Sequence, residues 1–244
     1  MKTLILIPSR LSATRLPGKP LLKINGLSMI SYVFKKAVEA NIGEVFVATE
    51  DKEIVEDIKN NGGQAILTSN NPKTGTDRVY EALEKTGYSD IDLVMNLQGD
   101  EPLMNIEDII NLHNQMIKTQ SGFGTLASKI KNKDLYKKKS VVKVITRQSV
   151  EKNNFPEAVD FIRIFNEATE NVYHHLGIYC YRRETLKKFI SLEQSKNELK
   201  NKLEQLRALD NNIKINVSLA KDSPLGVDTI EDFVAIKKIM EYKS

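Results

Sequence analysis

Within the first twenty residues, Arg10, Arg15 and Lys19 stand among Pro8, Pro17 and Pro20, with Ser9, Ser12 and Thr14 between them. Three cations in ten residues, stiffened by two prolines and Gly18, suit a polyanion, and backbone amides at 12–14 add anion-binding donors. A triphosphate needs several cations, because its charge shifts onto a pyrophosphate leaving group as it reacts. The stretch therefore reads as a triphosphate-binding loop. A second element is Asp100, within Gln98-Gly99-Asp100-Glu101-Pro102. An acid at the end of a buried strand can reach a divalent cation beside the loop, and Mg²⁺ takes few protein carboxylates when phosphate oxygens are at hand. The same residue reads equally well as a turn aspartate. A third element, Gly226-Val227-Asp228-Thr229, offers Asp228 as a metal ligand, while Thr229 with Asp232 reads as a helix cap.

Other chemistries are disfavoured. Neither G-x-x-x-x-G-K-[ST] nor G-x-G-x-x-G follows the first strand, against Walker-type hydrolysis and Rossmann dinucleotide binding. The single cysteine, Cys180, lies in an alternating apolar segment and reads as a buried, inert thiol. Formal net charge is +4, from 36 basic and 32 acidic residues, and no basic stripe interleaved with aromatics marks a nucleic-acid surface. Lysine runs at 137–139 and 196–202 read as solvated faces. No leader and no apolar run near the ~20 residues of a membrane span is apparent, so a cytoplasmic protein without membrane contact is expected.

Hydrophobic periodicity supplies the elements that must position these residues. An apolar strand at 4–7 precedes the loop, and a helix at 29–40 carries Met29, Ile30, Val33, Phe34, Ala37 and Val38 on one face. Strands at 44–49, 64–68 and 93–97 alternate with helices at 51–60, 74–85 and 106–117. The alternation implies βαβ units: an α/β fold with a mainly parallel, Rossmann-like sheet and helices on both faces. Ligands of such sheets bind at strand carboxyl ends, where the basic loop and Asp100 both fall. Beyond residue 120 the pattern changes to strands at 125–130, 141–146, 158–163 and 175–181, an antiparallel subregion. One helix is expected over 195–210, opened by a Ser195/Glu198 capping box, with Leu199, Leu203, Leu206 and Leu209 as its apolar stripe. A strand at 214–220 and a helix at 230–242 follow. A single domain with a strand-rich inserted lobe at about 125–190 accounts for this order.

Taken together, Arg10 with Thr14-Arg15-Leu16-Pro17-Gly18-Lys19-Pro20, the 98–102 segment, His175-Leu176-Gly177-Ile178-Tyr179, Leu203-Glu204-Gln205-Leu206-Arg207 and the 226–229 segment resemble the 3-deoxy-manno-octulosonate cytidylyltransferases, or CMP-Kdo synthetases. Thr74-Gly75-Thr76-Asp77-Arg78 and Val142-Lys143-Val144 add to the resemblance, which covers essentially the whole chain. It implies that Arg10, Ser12, Arg15 and Lys19 meet CTP phosphates, with Arg78 and Gln98 on the nucleotide side. Asp100 and Asp228 would hold catalytic Mg²⁺. Gln98, Arg163, His175, Tyr179, Glu204 and Gln205 would face the sugar acid. A histidine in an alternating apolar strand is more often a core residue; the resemblance reverses that for His175, but not for His113 or His174.

The implied reaction joins the anomeric hydroxyl of Kdo to the α-phosphorus of CTP, giving CMP-Kdo for lipopolysaccharide synthesis and pyrophosphate, in a homodimer. One departure stands out. Members usually carry Phe-Ser-Arg followed by Ile-Pro, where this chain has Phe161-Ile162-Arg163-Ile164-Phe165-Asn166, then an acidic loop with Glu167 and Glu170. A similar loss occurs in relatives that activate an 8-amino derivative of Kdo, which is the alternative substrate. Asn201 stands where a glutamate is usual. A nucleotide-sensing domain is a further alternative, but a sensor has no need of both Asp100 and Asp228.

Overall fold

A computed structural model describes residues 1–12, 15–151, 154–165, 170–223 and 226–242. Thr14 of the basic loop, the amides at 13–14, and Asn166 and Glu167 lie outside the described residues. In chain order the elements are β1 (Thr3–Ser9), β2 (Lys23–Ile24), β3 (Leu27–Ser28), α1 (Met29–Glu39), β4 (Glu44–Thr49), α2 (Lys52–Asn60), β5 (Ala65–Leu67), α3 (Gly75–Lys85), β6 (Leu93–Asn96) and α4 (Ile106–Thr119). They continue with β7 (Phe123–Lys129), β8 (Lys143–Thr146), β9 (Ala158–Ile162), β10 (Val172–Arg182), α5 (Arg183–Ile190), α6 (Lys196–Asn201), α7 (Gln205–Asp210), β11 (Asn216–Leu219) and α8 (Ile230–Glu241). The fold is α/β, with a mainly parallel sheet and a small antiparallel part, as the alternation of strands and helices predicts.

The chain divides into two compact units. One comprises residues 2–91, 95–106 and 224–244. Its strands β1, β4 and β5 run parallel, with Ser9 opposite Thr49 at the carboxyl end. Leu4 to Ile7 are all fully buried, as expected of a strand covered on both faces. Helices α1, α3 and α8 begin where side chains satisfy their first N–H groups. The Ser28 hydroxyl accepts from Ser31 N at the start of α1, and reciprocal capping boxes open α3 (Thr74/Asp77) and α8 (Thr229/Asp232). On α1 the anticipated apolar face is buried except at Val38, which is about half exposed. Ile24, Met29, Val227, Phe233 and Ile236 pack together, so α8 is anchored beside the hairpin β2–β3 and the start of α1.

The other unit comprises Met1, Asp92–Val94 and Glu107–Ser223. Here β11 pairs parallel with β7, whereas β10 pairs antiparallel with β7 and β8, and β8 antiparallel with β9. Register along β7 and β10 slips within the His175–Tyr179 segment: Leu176 lies opposite Leu126 but Tyr179 opposite Thr125, leaving Gly177 and Ile178 outside the ladder. That bulge breaks main-chain pairing at two carbonyls. The Thr125 hydroxyl sits 2.8 Å from Ile178 O and 3.2 Å from Leu176 O, on the side the ladder leaves unpaired.

Two expectations need correction. The helix expected over 195–210 is two helices, broken at Lys202, which adopts φ 53°. Arg163 donates from Nε to Asn201 O (2.8 Å) and from Nη2 to Lys202 O (2.9 Å), capturing carbonyls that a continuous helix would use internally. Leu203 and Leu206 are buried, but Leu199 is 58% exposed, so the stripe does not extend across the break. Helix α5 was not anticipated. It is short and rich in charge, with only Leu186 and Phe189 buried, and Arg182 gives it no side-chain cap. The two helices α6 and α7 are held instead by Arg207, whose Nε and Nη2 donate to Glu198 at 2.8 and 2.7 Å, both side chains being almost fully buried. The guanidinium also lies over the Phe189 ring, 4.7 Å from its centroid.

Removing the cation from this pair leaves a carboxylate buried without its partner, so Arg207→Met should cost about 3–5 kcal/mol in urea denaturation. Leu199→Ser should change stability by less than about 0.5 kcal/mol. Burial alone would raise the Glu198 pKa, but hydrogen bonds from Arg207 and Gln194 outweigh it and hold the carboxyl below its ordinary 4.5. A pKa lowered by folding stabilises fully above the unfolded value. The contribution should therefore fade as pH falls below about 4.5, and Arg207→Met should flatten that acid limb.

Candidate active site

In the first unit the basic loop, the turn after β6, the start of α3 and the approach to α8 surround a cavity of about 370 Å³. Arg10, Arg15, Lys19, Arg78, Gln98, Asp100 and Asp228 all line it, with Pro8, Thr74 and Gly75. The loop is folded by its own backbone: Gly18 N donates to Leu11 O at 3.0 Å, with Gly18 at φ 71°, where a side chain would be strained. Gly99 is required for a different reason. A Cβ there would come within 3.0 Å of Ile30 Cδ1 and 3.2 Å of Pro8 O, so glycine lets the 98–102 turn pass against the end of β1 without displacing either. Ser12 is exposed and does not line the cavity.

Opposite charges meet at its floor. Lys19 Nζ donates to Asp100 Oδ2 (2.7 Å) and to Val227 O (2.6 Å), while Arg15 Nη2 donates to Asp228 Oδ1 (2.8 Å). Val227 N donates to Asp100 O at 2.9 Å, tying the 226–229 segment to the turn after β6. Glu101 lies behind the two aspartates. Burial, then the charges of Asp100 and Asp228, push its carboxyl up to about 8. Its Oε2 has no hydrogen-bond partner among the described residues. Hard carboxylate oxygens crowded so closely suit a divalent cation. Among the described residues no three His, Cys, Asp or Glu side chains are arranged to hold a metal ion together. Any cation here would accordingly rely on the two aspartates and on ligand oxygens.

Arg78 forms the inner wall. It is 4% exposed, and its guanidinium donates to Glu50 Oε2, Thr68 Oγ1 and Ser69 O, so its orientation is fixed from behind. Nothing in the spacing of residues announced Glu50, because the pair joins the end of β4 to α3 across 28 positions.

The remaining candidates lie in the other unit. His175 is 7% exposed, edge-on to Phe161 at 4.9 Å and beside Tyr179 at 5.6 Å. Its Nε2 is 3.0 Å from Thr125 Oγ1. The same hydroxyl lies within reach of the Leu176 and Ile178 carbonyls, so Thr125 joins the His175 ring to the bulge. Burial, reinforced by His174, pushes its pKa down to about 3, and the ring is neutral. Tyr179 donates to Gln205 Oε1 at 3.3 Å, and Gln205 is buried at the start of α7 next to half-buried Glu204. Arg163 is engaged differently. Besides its bonds to Asn201 O and Lys202 O, it donates from Nη1 to Lys139 O, so the guanidinium rests on main-chain carbonyls. His113 is buried and His174 half-buried, both with pKa values lowered chiefly by burial, and Cys180 is a buried thiol pushed up to about 12.

Comparison with known proteins agrees with these features. The cytidylyltransferase family model matches residues 4–215. A 3-deoxy-manno-octulosonate cytidylyltransferase of Afipia carboxidovorans is 41% identical over 242 residues, covering 98% of this chain and 96% of that protein. One of the same name from Bradyrhizobium sp. is 40% identical over 243 residues, covering 98% and 97%. Among solved structures, a CMP:2-keto-3-deoxy-manno-octonic acid synthetase complexed with CTP superposes with a TM-score of 0.90 at 32% identity over the whole of both chains. A UDP-glucose pyrophosphorylase shares the fold at a TM-score of 0.73 and 16% identity. The basic loop, the paired aspartates and the bulged HLGIY strand thus sit in an enzyme: the chain belongs to the cytidylyltransferase family, among the 3-deoxy-manno-octulosonate cytidylyltransferases.

Proposed function

We propose that this enzyme transfers CMP from CTP to the anomeric hydroxyl of Kdo, releasing pyrophosphate, with Mg²⁺ as cofactor, in a cytoplasmic homodimer. The observation that carries the reading is the pairing of Lys19 with Asp100 and of Arg15 with Asp228 around one cavity. Cations for a triphosphate and carboxylates for a metal are adjacent, which is the arrangement nucleotidyl transfer requires. The relatives' shared name and the CTP bound to the solved synthetase support the choice of substrates. Among the described residues no helix is long and apolar enough to cross a membrane.

In this reading Arg10, Arg15 and Lys19 bind the phosphates, and Arg78, braced by Glu50, holds the nucleoside end with Gln98. Asp100 and Asp228 hold Mg²⁺, which when bound withdraws charge from the phosphates. The fit is sensible: Glu101 Oε2 is buried without a partner beside both aspartates, so added positive charge there is favourable. Lys19 and Arg15 leave the aspartates as they take up phosphate oxygens. The sugar hydroxyl gives up its proton to water as its oxygen bonds the α-phosphorus and the bond to the bridging oxygen of pyrophosphate breaks. No side chain is covalently modified. Neutral His175, Tyr179 and Gln205, with Glu204, supply hydrogen-bonding groups for the sugar acid.

A pyrophosphate-release assay crossing CTP and UTP with Kdo and 8-amino-Kdo tests this directly. Release with CTP and Kdo is expected; release only with the amino sugar would reassign the acceptor, and none with CTP would overturn the proposal. Asp100→Asn and Asp228→Asn should each lower turnover by about a thousandfold while the protein stays folded. Near-normal turnover in either would remove that residue from the metal site. A readout independent of turnover is Mn²⁺ binding without nucleotide, followed by electron paramagnetic resonance. Lys19→Met should tighten it about tenfold by releasing Asp100, and unchanged binding would count against the exchange of partners.

A further inference from the structure

Asp51 immediately precedes α2, at the position where an acidic side chain ordinarily caps the helix. Here it does not: its carboxylate makes no capping bond, although its main-chain carbonyl accepts from Val55 N. Instead Oδ2 accepts from Leu11 N at 2.7 Å, forty positions away and just beyond β1. The register explains the contact. Parallel pairing of β1 with β4 ends with Ser9 opposite Thr49, and two further residues on each strand bring Leu11 level with Asp51. At that point the β4 chain has turned into a helix and its carbonyl is committed, so the side chain supplies the acceptor that the ladder would have used.

Leu11 is thereby held from both sides, its N–H by Asp51 and its carbonyl by Gly18 N. The first bond anchors the loop to the sheet, and the second closes it on itself ahead of Lys19. Asp51's own amide donates to Thr49 Oγ1 at 3.1 Å, which steadies the turn from which the carboxylate projects. Asp51 is absent from the cavity lining, so it acts on the loop rather than on a ligand.

We infer that Asp51 is a positioning residue of the nucleotide site: its carboxylate extends the β1–β4 pairing by one bond and so sets where Arg10 and the loop cations stand. The inference rests on the CTP reading above. Its test compares Asp51→Ala and Asp51→Asn with the parent, by calorimetric titration of CTP and by KM for CTP and for the sugar acid. Loss of a charge-assisted hydrogen bond that orders the loop should weaken CTP binding about tenfold or more in Asp51→Ala, with KM for the sugar changed less than about twofold. Asp51→Asn keeps an acceptor oxygen and should recover most of the loss. Because Asp51 does not cap α2, a thermal midpoint close to the parent's is expected for both. CTP affinity within twofold of the parent in Asp51→Ala would overturn the inference. So would an Asn variant as weak as Ala, since charge rather than geometry would then matter, or a parallel rise in both KM values. A parent that does not bind CTP would instead overturn the nucleotide reading itself, and this inference with it.

Discussion

The site rests on the pairing of two aspartates with two cations, beside the buried carboxyl of Glu101. Lys19 bonds Asp100 and the carbonyl of Val227, and Arg15 bonds Asp228. Burial first, then the charges of Asp100 and Asp228, pushes the Glu101 carboxyl up to about 8. Much of the local architecture follows from that pairing. The basic loop must return to the end of β6, so it needs a left-handed glycine at its corner. The turn carrying Asp100 must press against β1, so it needs a glycine with no Cβ to collide with Pro8. Segment 226–229 must stay beside that turn, and it is pinned there by a main-chain bond and by the packing of Val227 with Phe233 and Ile236.

A second regularity concerns the places where main-chain pairing is broken. Every break near the candidate residues is completed by a side chain from elsewhere. Asp51 takes over from the β4 backbone at Leu11, and Thr125 sits at the bulge carbonyls of β10. Arg163 captures the carbonyls at the end of α6. Lys143, fully buried, donates its three protons to the carbonyls of Lys138, Val141 and Arg163. Exposed carbonyls inside a protein are costly, and a cation with several donors satisfies more of them than a hydroxyl can. Irregular backbone is what lets a sheet present functional groups at a chosen point, so these side chains sustain the irregularity the site depends on.

This division also explains what could be read beforehand. Strands β1 and β4, helices α1 to α4 and the capping boxes of α6 and α8 are local patterns, and residues a few positions apart suffice to specify them. That the basic loop and Asp100 share a crevice followed from the rule that such sheets bind ligands at strand ends, whereas Asp228 joined them only through the family resemblance. What escaped notice is long-range. The break at Lys202 depends on Arg163, 39 positions away, and the leucine spacing through 199–209 continues undisturbed across it. Asp51 looked like an ordinary helix start because its position fits one; only three dimensions show the carboxylate turned towards Leu11. The buried partner of Arg78, Glu50, was hidden for the same reason.

The two groups of candidate residues differ in kind, and the difference argues for the roles proposed. In one unit the side chains are ionised and paired, partly open to solvent, and able to exchange partners with phosphates at little cost. In the other, His175 is held neutral by burial and bonded to Thr125, and Tyr179 is bonded to Gln205, so the hydrogen bonds join uncharged groups. Neutral groups of fixed orientation discriminate hydroxyl patterns well, because an unmatched buried donor or acceptor is penalised heavily. They would serve poorly for a triphosphate, whose charge they could not balance. An ionised histidine among Phe161, Tyr179 and Thr125 would be costly to bury, so depressing its pKa is a condition of placing it there at all. The bulge of β10 fixes which atoms these groups offer, since it sets Tyr179 opposite Thr125 and leaves the hydroxyl of Tyr179 within reach of Gln205. A shift of that register by one residue would turn Tyr179 to the opposite face and separate it from Gln205. On the proposed roles, selectivity for the acceptor would depend on the slip in strand pairing within the HLGIY segment.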